Sequence, residues 1–209
     1  LNDELCLAAN NAPFLCVVSG TTDAINDLQN SLSRQGVNCH PLHTSHAFHS
    51  MMMEPAIEPF TQLFAKIQMH PPTIPFISNL SGTWITATEA TDPNYWARHL
   101  RQTVRFSEGM TELLKDTERI LLEVGPGKTL TTLAMRHQIA ERVVLPTTRH
   151  PQNQESDVVF ILRTLGQLWL MGVQMDWSGF YSNERRHRLP LPTYPFERQR
   201  YWIDPPKQL

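Results

Sequence analysis

Short apolar runs, each closed by turn-forming residues, divide the chain into a succession of strands and helices. Residues 5–9 and 14–18 are apolar runs of strand length, separated by the turn-prone Asn10-Asn11-Ala12-Pro13; Ser19-Gly20 closes the second. Ile25, Leu28 and Leu32 then recur at helical spacing. Thr22 or Asp23 is placed to cap the start of that helix and Gly36 to end it. A further short strand is predicted over 37–42. This βαβ-like half-unit lacks a partner helix and predicts a fragment of a small α+β subdomain.

The next helix is predicted to start near Glu54-Pro55, proline being tolerated in a first turn. Ile57, Phe60, Phe64 and Ile67 follow at spacings of three, four and three, while Pro59 predicts a late start or a kink. Pro71-Pro72 breaks the chain and 74–78 resumes an extended run. A helix over 107–115 buries Phe106, Met110 and Leu113 or Leu114. Residues 120–124 read as a buried strand, followed by Gly125-Pro126-Gly127 and a helix through Leu130 and Leu133. Another strand at 143–145 closes the section. The alternation predicts a doubly wound parallel sheet whose first strands are not among these residues.

The character changes near Thr147. Residues 149–154 are polar and turn-prone, a linker, and 156–171 form a helix with Ile161, Leu165, Leu168 and Trp169 along one side. The stretch 189–196 holds too many prolines for regular structure. It is expected to lie extended along another surface, anchored by Tyr194, Phe196, Tyr201 and Trp202. No internal repeat is present.

Composition narrows the classes. The 209 residues suffice for one domain, or one domain plus an appendage. A net charge of -2 offers no electrostatic case for nucleic acid or a membrane surface. Runs such as 14–18 and 120–122 are too short to span a bilayer. The chain begins at Leu1 without a signal-peptide pattern, so a segment of a longer cytoplasmic polypeptide is expected. Cys6, Cys16 and Cys39, in or beside strand-like runs, are expected to be buried reduced thiols.

The densest chemical signal is His40, His43, His46 and His49 at intervals of three. Metal binding is one reading, but Pro41 breaks helical geometry, an extended path would not converge the rings, and no carboxylate or cysteine pair completes a site. Ordinary hydrogen-bonding roles at a strand end are the second reading, the default for His40 and His43. The third makes one imidazole a general base, able to take a hydroxyl proton near neutral pH and return it.

His46-Ala47-Phe48-His49-Ser50 followed by Met53-Glu54-Pro55 resembles the histidine motif of polyketide synthase acyltransferase domains. Further segments match in the same order: Ala8-Ala9-Asn10-Asn11-Ala12-Pro13, Ser78-Asn79-Leu80-Ser81-Gly82, and Tyr95-Trp96-Ala97-Arg98-His99-Leu100-Arg101 with Val104-Arg105-Phe106. Leu122-Glu123-Val124-Gly125-Pro126-Gly127 and Leu191-Pro192-Thr193-Tyr194-Pro195-Phe196 through Tyr201-Trp202 complete the series. Each segment is weak alone; six in order across nearly the whole chain are specific.

The resemblance implies an α/β fold: the C-terminal part of a parallel-sheet acyltransferase core, part of a ferredoxin-like small subdomain, and a helix with an extended linker. The corresponding division is 1–45, 46–146 and 147–209. It implies His49 as general base for a serine in a Gly-x-Ser-x-Gly turn, with transfer of malonyl from malonyl-CoA to the phosphopantetheine thiol of an acyl carrier protein. Family members that use malonyl tend to carry His-Ala-Phe-His here, and those that use methylmalonyl Tyr-Ala-Ser-His. His46 and Phe48 are therefore implied to shape the acyl pocket, with Phe48 also a plausible packing residue. Asn10 and Asn11 are further candidates for the pocket lining, a plain turn role being the alternative. The segment is expected to bind no cofactor of its own, and to work beside a ketosynthase and other domains of one polypeptide.

No Gly-x-Ser-x-Gly occurs in these residues. The family's serine, its carboxylate-binding arginine and its oxyanion segment are expected before Leu1, so neither Arg98 nor Arg105 takes those roles, and the fragment alone is expected to be inactive. Gly127-Lys128-Thr129 mimics a phosphate loop, but Leu122 stands where that loop needs glycine. Arg185, Arg186, His187 and Arg188 with Arg198 and Arg200 form a basic cluster with acidic residues interspersed, read as a solvated or interdomain face. An interdomain scaffold role for 147–209 is the alternative to a part in catalysis.

Overall fold

The computed structural model describes residues 4–137, 142–197, 199 and 201–203, which fall into two units, Leu1–Gly166 and Gln167–Leu209. Within the first, β1 (Leu5–Ala12) and β2 (Leu15–Gly20) form an antiparallel hairpin. Asn10 and Asn11 lie inside β1 rather than in the expected turn, which tightens to Pro13 and Phe14. Asparagine favours turns through local side-chain bonds, but here a strand ladder takes its backbone instead. Two irregularities in the register leave Ala8 and Asn11 with no opposite residue on β2.

Helix α1 (Thr22–Arg34) packs on β2 and is capped one residue earlier than expected, by Thr21. Gly36, at φ 76°, takes the left-handed conformation that ends it, with Val37 N–H donating to the Leu32 carbonyl. The strand expected over 37–42 does not form. That stretch is irregular and mostly exposed, interrupted by Pro41, and nothing among the described residues pairs with it.

A 3₁₀ turn at Met51–Met53 leads into α2 (Glu54–Phe64). Pro59 lies inside α2, so the late start expected from it is not taken up. The short α3 (Ala87–Ala90) opens on a Thr86–Glu89 capping box, and α4 (Pro93–Arg101) on Asp92. Helix α2 packs on α4, with Phe64 stacked on Trp96 at 6.1 Å between ring centroids. Helix α5 (Phe106–Leu113) packs on β1.

Strands β3 (Leu121–Glu123) and β4 (Val144–Pro146) pair in parallel, and α6 (Thr129–Ala134) packs against both. This is the parallel α/β arrangement expected. Strand β3 is less buried than expected, however: Leu122 is 41% exposed, because the described sheet has only two strands. Glu123 turns back onto α6, accepting from Leu130 N–H at 2.9 Å, Thr131 N–H at 2.7 Å and the Thr131 hydroxyl at 2.6 Å. Burial pushes its carboxyl up, but these bonds outweigh burial and hold it below the ordinary glutamate value.

Helix α7 (Asp157–Leu170) begins at the expected place. In the second unit, Trp169, Trp177 and Phe180 form edge-to-face contacts around α8 (Trp177–Phe180), a turn of helix that the sequence pattern did not announce. Residues 185–197 have no regular structure. Tyr194, Phe196, Tyr201 and Trp202 are exposed, while Arg198 and Arg200 lie outside the described residues. No described helix is long and apolar enough to cross a membrane. The cysteines are free but not buried as expected: Cys16 is exposed, and Cys6 and Cys39 are half-buried.

Candidate active site

The site is assembled where the chain leaves α4 and runs beside β1. Asn10 N–H donates to the Val104 carbonyl and Val104 N–H to the Ala8 carbonyl, both at 2.9 Å. The Thr103 hydroxyl donates to the Leu7 carbonyl at 2.6 Å. Gln102 N–H still closes the last turn of α4 onto the Arg98 carbonyl at 2.8 Å. The Gln102 carbonyl is therefore fixed between a helix end and a strand.

That carbonyl lies 2.8 Å from His49 Nδ1. A carbonyl only accepts, so Nδ1 carries a proton, and in the neutral ring Nε2 is then the nitrogen with the lone pair. His49 has φ 58°, the left-handed region in which a residue with a side chain is uncommon and needs support from its surroundings. Ser50 gives part of it. It is buried, its hydroxyl donates to the Ala47 carbonyl at 2.5 Å, and it accepts from Met52 N–H at 3.2 Å to cap the 3₁₀ turn.

His49 borders an open cleft of about 430 Å³, whose walls include Cys6 and Leu7 of β1, Leu80, Arg101 and Arg105. Leu80 is delivered by the Ser78–Gly82 turn. The Ser78 hydroxyl accepts from Leu80 N–H and Ser81 N–H, each at 3.1 Å, and from the Tyr95 hydroxyl at 2.6 Å. Tyr95 and Ser78 are each only 1% exposed, and burial raises the Tyr95 hydroxyl above its ordinary pKa against the opposing bond to Ser78. The turn needs glycine at 82: φ is 73°, and a Cβ there would sit 2.7 Å from Glu108 Cβ.

The charges around the cleft are paired. Arg105 Nε meets Glu108 Oε1 at 3.2 Å, and the other Glu108 oxygen accepts from Asn10 Nδ2 at 3.3 Å. Arg101 Nε meets Glu54 Oε2 at 3.0 Å. His99 on α4 is kept below the ordinary imidazole pKa, first by burial and then by the nearby His49.

The other candidate residues do not all converge here. His46 and Phe48 pack on each other, their ring centroids 5.9 Å apart, and Phe48 is 41% exposed; neither lines the cleft. Asn11 is also outside it, its carbonyl taken by Nε2 of the buried His137 at 3.0 Å. His40 and His43 are exposed on irregular chain. Among the described residues, no three His, Cys, Asp or Glu side chains group closely enough to hold a metal ion. Sequence reasoning missed Gln102, Leu80 and Arg101. The last two stand in segments that carried the resemblance, whereas Gln102 acts through a backbone carbonyl that any residue supplies.

A histidine held by a backbone carbonyl at the edge of a cleft, on an α/β scaffold, is consistent with acyl-group transfer. Residues 1–175 match the family model for the acyl transferase domain. The chain is 38% identical over 212 aligned positions to a phenolphthiocerol/phthiocerol polyketide synthase polypeptide of Mycobacterium tuberculosis, a match covering 98% of this chain and 14% of that protein. It is 35% identical to the spectinabilin polyketide synthase system protein NorB of Streptomyces orinoci, over 95% of this chain and 9% of the relative. Among solved structures, the acyltransferase domain from the second module of the salinomycin polyketide synthase superposes with a TM-score of 0.82 at 32% identity, covering 94% of this chain and 45% of that one. The acyl transferase domain of SpnD, in complex with 2-(pent-4-yn-1-yl)malonyl, gives 0.79 at 38% identity, over 82% and 42% of the two chains.

The chain belongs to the acyl transferase domain family, in its polyketide synthase branch. It spans less than half the length of those solved domains and a small fraction of the synthases.

Proposed function

We propose that this chain supplies the general base of an acyltransferase that moves malonyl from malonyl-CoA to the phosphopantetheine thiol of an acyl carrier protein. The observation that carries the reading is the His49 Nδ1 bond to the Gln102 carbonyl, which leaves Nε2 as a base beside the cleft. Nε2 takes the proton of a serine hydroxyl supplied from outside these residues, as that oxygen attacks the thioester carbonyl carbon. The carbon–sulfur bond then breaks, the imidazolium returns the proton to the departing coenzyme A thiolate, and malonyl remains as a serine ester. The carrier thiol reverses the sequence: it gives its proton to Nε2 as its sulfur takes the acyl group, and the serine oxygen leaves with that proton returned from the imidazolium. The division at 1–45, 46–146 and 147–209 belongs to this reading, as does an adjacent ketosynthase in the same polypeptide.

The test uses the full polypeptide with radiolabelled malonyl-CoA. His49→Ala is expected to slow self-acylation by about 10²–10⁴-fold; undiminished labelling rules the role out. Phe48, with His46 against it, is the proposed gate for the acyl chain and Asn11 a proposed wall of the acyl pocket, although all three stand outside the cleft that His49 borders. Phe48→Ser is expected to improve methylmalonyl relative to malonyl use by about tenfold, the scale at which a pocket senses one methyl group. An unchanged ratio in competition assays makes Phe48 a packing residue only.

A second reading applies to 147–209. The exposed Tyr194, Phe196, Tyr201 and Trp202 favour an interdomain scaffold rather than a part in the chemistry. Deleting 190–202 is then expected to disturb domain arrangement while sparing the acylation step; selective loss of acylation with folding intact argues against it.

A further inference from the structure

The bond between His49 and the Gln102 carbonyl joins two chain segments 53 residues apart, and neither end is held by that bond alone. On one side, His49 and Ser50 run into the 3₁₀ turn and then α2, whose first residue is Glu54. On the other, Arg101 is the last residue of α4 and directly precedes Gln102. Arg101 Nε and Glu54 Oε2 meet at 3.0 Å, so the salt bridge ties the two segments together one residue from the carbonyl and five from the imidazole.

Helices α2 and α4 are also joined by the stack of Phe64 on Trp96, at the C-terminal end of α2 and towards the start of α4. That stack is part of a broader packing of α2 on α4, which sets the angle between the helices. The salt bridge adds a link at the ends nearest His49 and Gln102, and among the described residues Arg101–Glu54 is the only ion pair between the two helices. The location matters more than the strength, since an exposed pair adds little to global stability; Glu54 is 69% exposed. With Arg101 already paired, the cleft beside it is not a surplus of positive charge awaiting an anion.

We infer that Arg101 is a positioning residue: through Glu54 it sets the spacing between the His49 loop and the Gln102 carbonyl, and thereby the aim of Nε2. The inference rests on the proposed acyl-transfer reading for its kinetic consequence, though not for its structural one.

Two measurements on the full polypeptide test it. In self-acylation with malonyl-CoA, Arg101→Ala and Glu54→Ala are each expected to lower kcat by about tenfold, with KM unchanged and the double variant no worse than either single one. Arg101→Lys is expected to restore most of the rate. A rise in KM for Arg101→Ala alone, with Glu54→Ala behaving as wild type, overturns the inference and makes Arg101 a direct substrate contact. The second measurement needs no turnover: carbethoxylation of His49 by diethyl pyrocarbonate, read by peptide mass spectrometry. An imidazole released from its carbonyl is expected to react severalfold faster in both alanine variants; unchanged rates in both overturn the clamp. Should the wild-type protein transfer no acyl group, the functional reading fails and this second arm still decides the positioning role. Should Arg101→Ala not fold, the exposed Glu54→Ala and the conservative Arg101→Lys carry both measurements.

Discussion

The region around His49 and the unit Gln167–Leu209 are built on opposite principles. Around His49, hydrogen bonds connect residues far apart in sequence: Thr103 to Leu7, Val104 to Ala8, Asn10 to Glu108, His49 to Gln102. Within the second unit the described hydrogen bonds join near neighbours, such as Phe180 N–H to the Asp176 carbonyl or Tyr201 to Gln199, and large aromatics stand exposed. The first region holds its residues through hydrogen bonds that close long loops. The second keeps local turns and leaves large aromatics exposed. Long-range ties and exposed aromatics are thus separated along the chain.

The contrast can be broken most decisively at Tyr95. Tyr95→Ala removes a fully enclosed ring and the donor to Ser78, so a loss of about 3–5 kcal/mol is expected in denaturant unfolding. A much smaller loss would mean that the Ser78–Gly82 turn is not anchored from below. Glu123→Ala leaves α6 N–H groups without their acceptor and is expected to cost about 1–2 kcal/mol. Because the folded carboxyl lies below its ordinary value, its contribution is complete above the unfolded glutamate pKa and is lost as the pH falls through the folded one. His99, whose imidazole is held below its ordinary pKa by burial and by His49, has the same sign: stability falls as the pH drops below the ordinary imidazole value of about 6.5. Acid titration of Glu123→Ala should therefore show a shallower loss at the lower end than wild type. At the other extreme, Tyr194→Ala in the tail is expected to change stability by less than about 0.5 kcal/mol. A large shift there would erase the distinction between the two regions.

What could be read beforehand follows the same division. Helix α1 was legible because Ile25, Leu28 and Leu32 encode a local periodicity, and His49 because its motif is contiguous. The strand at 37–42 was misplaced because strand formation is decided by a partner, not by the segment. Asn10 and Asn11 were read as turn formers, whereas β1 extends past them to Ala12 with Val104 as a third neighbour. Pro59 argued for a later helix start; its missing N–H costs one bond, which α2 sustains while packed on α4. The Gln102 carbonyl was invisible for a more general reason, since a main-chain acceptor has no residue signature.

The two positions of β1 that β2 skips have an unexpected use. Ala8 offers its carbonyl to Val104 and Asn11 its carbonyl to His137, so each extra residue in the strand serves as an outward socket for another element. Strand β1 therefore keeps two registers at once, one with its hairpin partner and one with the chain that carries the Gln102 carbonyl. Insertions are tolerable at the Pro13–Phe14 tip, where neither register is counted. A single-residue deletion at Ala8 would leave the hairpin able to close, even better aligned than before, while sliding the neighbouring chain away from the histidine. A protein altered in this way would look folded by most measures and have lost its site.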